Sequence, residues 1–208
     1  LLCPSDFTAK TFLDAGFQKG KLVRFIYGVD EKMFHPSAAA RPSGQGFKMI
    51  YVGVAAVRKG LHFAFEAWLN SPTSKNGEFL VVGGFIPAYR EKLAPMLAHP
   101  SVKVLGHRND VPALMRDCDA FVMPSIEEGF GLVCTEAIAS GCVPLVSDAC
   151  TDLCRHEFNS LVHSVGDVPA LTEHINRLNQ DRSLLSKLRE QGLRDVSTLT
   201  WEAAGHSL

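Results

Sequence analysis

The sequence predicts an α/β fold, a Rossmann-like three-layer domain built on a mostly parallel six-stranded sheet. From Phe47 onward, short apolar runs alternate with helical patterns. The runs are largely apolar throughout, which is typical of strands buried on both faces of a parallel sheet. Residues 120–146 also contain, in immediate succession, a strand, a glycine-bearing loop, a helix that ends at Gly141 and a second strand. Such a succession predicts a parallel βαβ unit.

The predicted elements follow one another regularly through this region. Strands are predicted at residues 48–52, 79–82, 102–105, 120–123, 143–146 and 160–162, and helices at 59–70, 88–97, 111–118 and 132–140. After the sixth strand, Asp167 is expected to cap a helix with Pro169 in its first turn. The apolar stripe of that helix consists of Val168, Leu171, Ile175 and Leu178. We predict a further helix from Asp181 that stops at Gly192, and the start of a last helix at residues 200–202.

The sequence pattern of residues 1–46 predicts a unit separate from the main domain. Cys3 and Pro4 resemble a strand end, Ser5 is placed to cap a helix over residues 6–15, and residues 22–26 favour a short strand. Residues 38–46 are rich in Ala, Pro, Ser and Gly, which is typical of a linker. We therefore expect residues 1–46 to be the tail of another domain with its linker, outside the main core, and residues 47–208 to be the Rossmann-like domain. The opening Leu1, without an initiator methionine or a signal peptide, suggests a fragment.

Composition and charge argue against several classes of function. The chain has 208 residues, of which 46% are hydrophobic and 21% are charged, as in an ordinary globular protein. Its formal net charge of −1 gives no electrostatic basis for binding nucleic acid or an anionic membrane. The longest apolar runs are about strand length, well short of the ~20 residues that a membrane-spanning helix needs. We therefore expect no nucleic-acid partner and no transmembrane segment.

The six cysteines are expected to be reduced thiols. They form no C-x-x-C pair, and Cys118, Cys134 and Cys142 fall in or beside apolar runs. A thiol in such a position behaves as a small apolar side chain. Because unpaired thiols are typical of the reducing cytosol, we expect a cytoplasmic protein.

Two groups of residues could suggest a metal site, and neither pattern favours one. Cys150, Cys154 and His156 are close in sequence, but a fourth ligand at a regular zinc spacing is missing. Asp117 and Asp119 form a D-x-D pair, which can hold a divalent cation against a diphosphate. The pair lies where a predicted helix passes into a strand, so the two carboxylates are more simply boundary groups. We expect no metal.

The first candidate site is the loop between the strand at residues 120–123 and the helix at 132–140. Gly129 and Gly131 leave the first helical N–H groups uncovered, and such a helix start attracts a phosphate. Glu128 lies beside that start and Glu136 lies within the helix. A carboxylate next to a phosphate site favours an uncharged group such as a sugar hydroxyl. Taken singly, each glutamate is more simply a solvated carboxylate.

The second candidate site follows the first predicted strand of the domain, where doubly wound folds bind ligands. Gly53 ends the strand, and Arg58 and Lys59 precede the next helix. Arginine as a bidentate fork and lysine as a point charge could bind a diphosphate. The alternative is that both are solvated surface groups. The spacing is neither G-x-G-x-x-G nor a Walker sequence, so a nicotinamide or ATP site is weakly supported.

Together these stretches resemble the donor-binding domain of a GT-B glycosyltransferase of family 4, the retaining "group 1" transferases. The resemblance covers nearly the whole chain and includes a two-glutamate signature, a basic loop and the segment that joins two domains. The signature positions are Pro124, Ser125, Glu128, Gly129, Phe130, Gly131, Leu132, Glu136, Ala137, Ala139, Gly141 and Pro144. The basic loop is matched by Gly53, Lys59 and Gly60, and the joining segment by Cys3, Pro4, Ser5, Gly28, Val29, Asp30, Phe34 and Pro36.

The resemblance implies a role for each part of the nucleotide site. Glu136 would bind the ribose hydroxyls of the nucleotide. Arg58 and Lys59 would hold the diphosphate together with backbone N–H groups near Gly131 and Leu132. A charged clamp plus a helix start would stabilise the diphosphate as it leaves, because negative charge develops there.

The resemblance also implies the nature of the reaction. Glu128 and the amides of Gly129 and Phe130 would position the transferred sugar, with Gly53 in the donor-binding loop. The full-length enzyme would be a glycosyltransferase of the hexosyltransferase type. It would retain the anomeric configuration of the transferred sugar and would need no obligatory metal or cofactor. The acceptor would bind to a missing N-terminal domain, and the full-length protein could contact a membrane peripherally. This chain alone is expected to bind the nucleotide-sugar donor weakly and to transfer nothing.

Three departures from the family pattern keep other functions open. Val54 stands where the family usually has arginine, so Arg58 is expected to supply the charge. Cys150 and Thr151 replace a frequent Gly-Gly pair that could face the donor, and Tyr27 replaces a frequent asparagine. The alternatives are a catalytically silent nucleotide-sugar-binding module and a GT-B nucleotide-sugar epimerase.

Overall fold

Parallel strands form the core of the structure, a computed structural model that describes residues 1–37 and 46–206. The strands are β1 (Leu2–Cys3), β2 (Val23–Arg24), β3 (Lys48–Val52), β4 (Glu78–Val82), β5 (Val102–Gly106), β6 (Ala120–Met123), β7 (Val143–Ser147) and β8 (Leu161–His163). The last six form one sheet in the spatial order β5-β4-β3-β6-β7-β8, and every neighbouring pair is parallel. From β3 to β5 successive strands are added toward one side of the sheet, and from β6 to β8 toward the other side. In this type of fold, the ligand-binding crevice lies at the carboxyl ends of the two strands where the order switches, here β3 and β6.

The helices of the described residues are α1 (Asp6–Asp14), α2 (Leu61–Asn70), α3 (Pro87–Leu97), α4 (Val111–Arg116), α5 (Leu132–Ala139), α6 (Val168–Gln180), α7 (Arg182–Val196) and α8 (Trp201–His206). Of these, α2 to α7 cover the two faces of the sheet. Consecutive strand side chains point to opposite faces. On β3, Met49 and Tyr51 join the apolar cluster under α2, α3 and α6, while Ile50 joins the cluster under α4 and α5. The architecture is therefore the α/β three-layer, Rossmann-like domain that the sequence predicts.

The predicted elements agree with the observed ones to within about two residues at most ends. The strands at residues 48–52 and 120–123 have the predicted bounds, and Asp167 caps α6 by accepting a hydrogen bond from the Ala170 N–H at 3.0 Å. The helix predicted at 59–70 differs, because Val57–Lys59 forms a short 3₁₀ turn that ends at Gly60 before α2 begins. That turn positions both basic residues of the candidate site.

The predicted stop at Gly192 is wrong. The helix α7 continues through this glycine to Val196. A Cβ atom at position 192 would lie 3.1 Å from the Ile138 Cγ2 atom of α5. The glycine therefore allows α7 to lie close to α5 and is not a C-terminal cap. Tertiary packing explains this residue where local helix signals do not.

The first 37 residues contact the sheet domain closely. Ser5 caps α1 as predicted, since its Oγ atom accepts a hydrogen bond from the Thr8 N–H at 3.0 Å. Strands β1 and β2 pair with each other in a separate small sheet. The expectation that this segment lies outside the main core is wrong for Val29, which is buried in the cluster that covers α4 and α5. Residues 38–45 of the predicted linker lie outside the described residues, so the division at residue 46 stays a prediction.

The D-x-D pair lies at the amino edge of the sheet, away from the crevice. Asp117 forms an ion pair with Lys48, which begins β3. Asp119 precedes β6, and its buried carboxylate accepts hydrogen bonds from the Lys48 N–H at 3.0 Å and from Arg182 Nη2 at 2.8 Å. Both aspartates thus link elements at the boundary of strands, as their sequence position indicates.

The cysteines, the possible metal ligands and the helix lengths bear on metal binding and on membrane insertion. All six cysteines are free, and five of them are buried. In the part of the chain that the structure describes, no three His, Cys, Asp or Glu side chains are grouped so that they could hold a metal ion. Within residues 1–37 and 46–206, no helix combines the length and apolar character that crossing a membrane requires.

Candidate functional site

The two loops that the sequence singles out meet at the carboxyl edge of the sheet. Residues 53–60 connect β3 to α2, and residues 124–131 connect β6 to α5. Since β3 and β6 are neighbours in the sheet, both loops leave the same edge. The Ile126 N–H donates to the Arg58 carbonyl oxygen at 2.7 Å. One backbone hydrogen bond therefore ties the basic loop to the glutamate-bearing loop.

Gly60 permits this close approach. Its φ angle is +66°, in the left-handed region, and it caps both the 3₁₀ turn and the start of α2. A Cβ atom at this position would overlap the Pro124 carbonyl oxygen. Only glycine combines such a φ with that contact at low cost. The glycine after Lys59 is thus explained by the seating of one loop on the other.

Lys59 and Glu128 form an ion pair across the two loops, between Nζ and Oε2. Their side chains are only 20% and 13% exposed. The other carboxylate oxygen of Glu128, Oε1, accepts a hydrogen bond from the Gly129 N–H at 3.1 Å. Two residues that are 69 positions apart in sequence therefore form one charge-balanced unit at the crevice. Its partial burial strengthens the attraction between the two charges relative to water.

Arg58 lies at the exposed rim of the same crevice. Its Nη1 atom is 3.5 Å from the Glu127 carbonyl oxygen, a long and weak contact. The guanidinium is always ionised and carries donors in a planar fork that matches phosphate oxygens. Arg58 and Lys59 thus offer positive charge at two depths, one at the rim and one within the crevice.

Gly53 and Tyr51 form the floor of the basic loop. The Gly53 N–H donates to the Val82 carbonyl oxygen at 3.0 Å, which extends the β3–β4 pairing by one residue. The Tyr51 hydroxyl donates to the Val54 carbonyl oxygen at 3.3 Å. Burial raises the pKa of Tyr51 well above its usual range, so this side chain stays neutral. The sequence analysis assigns no role to Tyr51 or Gly83. A Cβ atom added at Gly83 would overlap the Gly53 carbonyl oxygen. The pair Gly83-Gly84 after β4 was the sequence signal that could have indicated this close approach.

The start of α5 is the second positive feature of the crevice. Gly131 is its N-cap, with φ +77°, and it makes no side-chain capping hydrogen bond. A Cβ atom there would lie 3.1 Å from Met123 Cε and 3.4 Å from the Cys150 carbonyl oxygen. Glycine therefore lets the loop turn directly above β6, and Leu132 begins the helix. A helix start of this kind carries a partial positive charge that favours an anion.

Glu136 lies one turn into α5 and is half-buried. Burial raises the pKa of its carboxyl group from 4.5 to about 7. Among the residues that the structure describes, its carboxylate has no hydrogen-bond or ion-pair partner. Burial distinguishes Glu136 from a fully solvated carboxylate, which would keep the usual pKa.

Phe130 is buried between the two glycines of the loop. Its ring centroid lies 5.1 Å from that of Tyr27, in an edge-to-face arrangement. The Gly129 carbonyl oxygen accepts hydrogen bonds from the hydroxyl groups of Ser5 and Thr8. The first 37 residues therefore contact the glutamate-bearing loop directly. Apart from the capping role of Ser5, no local sequence pattern predicts these contacts.

The departures from the family pattern occupy different environments. Val54 is 58% exposed at the rim. Cys150 is buried, with its carbonyl and Sγ atoms against the Gly131 backbone, so its side chain does not line the open crevice. Cys134 of α5 lies beside Cys154, with 3.4 Å between their Sγ atoms. These thiols pack under the start of α5.

The fold and crevice define the C-terminal domain of a GT-B protein, and comparisons with solved structures agree. A structure of Anabaena Alr3699/HepE in complex with UDP and glucose superposes with a TM-score of 0.90 at 21% identity, over 99% of this chain and 60% of that one. Sucrose-phosphate synthase from Thermosynechococcus elongatus gives a TM-score of 0.85 at 25% identity, over 99% of this chain and 55% of the other.

The chain belongs to the family "Glycosyl transferases group 1", which it matches over residues 46–181. It is 31% identical over 120 residues to N,N'-diacetylbacillosaminyl-diphospho-undecaprenol alpha-1,3-N-acetylgalactosaminyltransferase of Campylobacter jejuni, covering 57% of this chain and 32% of the relative. It is 28% identical over 166 residues to O-antigen chain mannosyltransferase B of Escherichia coli, covering 76% and 43%. The chain thus spans less than half the length of these two relatives. The family assignment made from the motifs is confirmed.

Proposed function

We propose that this chain is the donor-binding half of a retaining glycosyltransferase, which moves a sugar from a nucleotide-diphosphate sugar to an acceptor. The observation that carries the proposal is the Lys59–Glu128 ion pair beside the uncapped start of α5. A cation and a helix start attract a diphosphate, while a carboxylate accepts hydrogen bonds from sugar hydroxyls. A nucleotide-sugar needs both functions side by side. Solved structures of Anabaena Alr3699/HepE in complex with UDP and glucose, and with UDP-glucose, support this class of donor.

In this proposal Lys59 and Arg58 hold the diphosphate, with the backbone N–H groups near Gly131 and Leu132. In the structure the charge of Lys59 is balanced by Glu128. A diphosphate competes for the ammonium, which frees the carboxylate for the sugar. As the sugar leaves, negative charge develops on the diphosphate, and groups already fixed around it stabilise that charge without reorganising.

Glu128 and the loop that follows it orient the transferred sugar. The Gly129 N–H already donates to the Glu128 carboxylate, so this amide acts on the sugar by orienting Glu128. The Phe130 N–H is the amide that can bind a sugar hydroxyl directly. Gly53, which ends β3 beside them, leaves space for the donor at the floor of the crevice.

Glu136 binds the ribose hydroxyls of the nucleotide. Two hydroxyls that donate to one carboxylate favour its ionised form. Burial raises the pKa of Glu136 to about 7, so nucleotide binding lowers this pKa and releases a proton near neutral pH. This coupling makes the role of Glu136 measurable.

The remaining parts of the proposal rest on the family. The acceptor binds to an N-terminal domain of which residues 1–46 are the tail and the linker, and the reaction retains anomeric configuration without a metal or other cofactor. The protein acts in the cytoplasm, where free thiols persist. A second candidate function is a silent nucleotide-sugar-binding module, which the exposed Val54 favours because a charged side chain is missing at that rim position.

Calorimetry of the 208-residue chain with a panel of UDP-, GDP- and ADP-sugars tests the proposal. We expect at least one donor to bind weakly, together with its nucleoside diphosphate, and no sugar transfer by this chain alone. If no donor binds although circular dichroism shows that the chain is folded, the proposal is contradicted. Sugar transfer by the full-length protein distinguishes the transferase from the silent module.

A further inference from the structure

The Gly129 carbonyl oxygen accepts two hydroxyl donors from the start of α1. Ser5 Oγ donates to it, and Thr8 Oγ1 donates to it at 3.1 Å. The two hydroxyl oxygens lie 2.9 Å apart, and Ser5 also caps α1. Ser5 is buried, so its hydroxyl is withheld from water. These bonds join parts of the chain that are 124 and 121 residues apart.

The held carbonyl fixes the direction of the Phe130 N–H. The Gly129 carbonyl and the Phe130 N–H belong to one peptide group, which is planar. The described residues contain no cis peptide bond, so in this trans group the N–H points opposite to the carbonyl. Because the carbonyl points at α1, the amide points away from α1.

The same bonds restrain the Glu128 carboxylate through Gly129. The Gly129 N–H donates to Glu128 Oε1, and this N–H and the held carbonyl are on either side of one Cα atom. Glycine has wide freedom in φ and ψ, so a free carbonyl would let the N–H rotate away from the carboxylate. Two hydroxyl donors on the carbonyl remove that freedom.

A further contact from the same segment supports the loop. Tyr27 meets the buried Phe130 ring edge-on at 5.1 Å. The backbone and the side chain that follow Gly129 are therefore both held by residues 1–37.

We infer that Ser5 and Thr8 are positioning residues for the transferred sugar. Their hydroxyl groups orient the Gly129–Phe130 peptide and, through Gly129, the Glu128 carboxylate. This inference rests on the proposed function, because it assigns the sugar to Glu128. It means that the sugar-facing part of the donor site includes residues that precede the predicted linker at 38–46.

The test is the sugar contribution to affinity, taken as the ratio of the dissociation constants of the nucleoside diphosphate and its sugar. The isosteric Thr8→Val variant removes one hydroxyl and keeps the side-chain volume. Loss of one net hydrogen bond predicts a decrease in this ratio of about fivefold. We expect the affinity for the nucleoside diphosphate to stay within about twofold, since the diphosphate contacts are on Lys59 and the start of α5.

Two further variants separate positioning from general stability. Thr8→Ser keeps a hydroxyl and should restore the ratio. Thr11→Val is the matched control, because Thr11 lies on the same helix and its hydroxyl donates within α1 to the Phe7 carbonyl oxygen. It should leave the ratio unchanged.

Amide hydrogen exchange gives a readout that needs no donor. In Thr8→Val, exchange at the Gly129 N–H, which donates to the Glu128 carboxylate, should accelerate about fivefold, and in Thr11→Val it should stay as in the parent chain. Unchanged exchange, or an equal loss of nucleoside-diphosphate and nucleotide-sugar affinity, would overturn the inference. Absence of any nucleotide binding by the parent chain would instead contradict the proposed function and leave the exchange measurement to decide on the positioning.

Discussion

The two edges of the main sheet each carry an ion pair that links distant parts of the chain, and their surroundings differ. At the amino edge, the Asp119 side chain is 1% exposed and is bound by Arg182 and by the Lys48 backbone, with Arg189 nearby at 3.7 Å. At the carboxyl edge, Glu128 pairs with Lys59 beside an uncapped helix start. The first carboxylate is surrounded by protein donors, whereas the second faces a crevice.

This difference separates an ion pair that holds structure from one that can exchange partners. Asp119 joins the start of β6 to β3 and α7, and a ligand could reach it only if these elements moved apart. A diphosphate could replace Glu128 as the partner of Lys59, and a sugar hydroxyl could replace Lys59 as the partner of Glu128. The amino-edge pair should therefore govern stability, and the carboxyl-edge pair should govern binding.

The largest expected effect is on stability, from Asp119→Ala. This change leaves the Lys48 N–H and the Arg182 guanidinium without their buried acceptor, so we expect the free energy of unfolding to fall by about 3 kcal/mol. Urea denaturation followed by circular dichroism measures it. Asp117→Ala removes a 53% exposed carboxylate nearby and should cost less than about 1 kcal/mol. Equal effects of the two variants would refute the distinction between a buried, multiply bound carboxylate and an exposed one.

The next effect is on binding, from Lys59→Ala. We expect the affinity for a nucleoside diphosphate to fall about twentyfold, since a charge-assisted hydrogen bond is lost. The free energy of unfolding should fall by less than in Asp119→Ala, because the Glu128 carboxylate keeps the Gly129 N–H as a hydrogen-bond partner. Glu128→Gln should lower mainly the affinity for the nucleotide-sugar. A double-mutant cycle of the two changes then measures the coupling energy between Lys59 and Glu128. A loss of stability as large as that of Asp119→Ala, with normal binding, would place this pair in the same structural class as Asp119.

Much of this comparison could be predicted from the sequence. Apolar runs and glycine positions located the six strands of the sheet, and the motif spacing brought Lys59 and Glu128 into one site. What failed depends on contacts between distant residues. Gly192 looks like a helix stop until its closeness to Ile138 is known. The bonds from Ser5 and Thr8 to Gly129 leave no local pattern, because a hydroxyl at a helix start has a sufficient local reason to be there.

The smallest expected effect is a dependence of binding on pH, because burial raises the pKa of Glu136 to about 7. If the ionised form binds the ribose, affinity for a nucleotide-sugar should fall as pH decreases through 7, and the fraction ionised implies a loss of about tenfold between pH 8 and pH 6. The diphosphate of a nucleotide-sugar stays ionised across this range, so its own titration does not interfere. In Glu136→Gln the pH dependence should disappear, while the control Glu127→Gln, at an exposed neighbouring position, should keep it. Calorimetry in buffers of different ionisation enthalpy would also detect the proton released on binding at pH 6.5. Binding that is equally strong at pH 6 and pH 8 would remove Glu136 from the ribose site and leave its raised pKa as a property of burial alone.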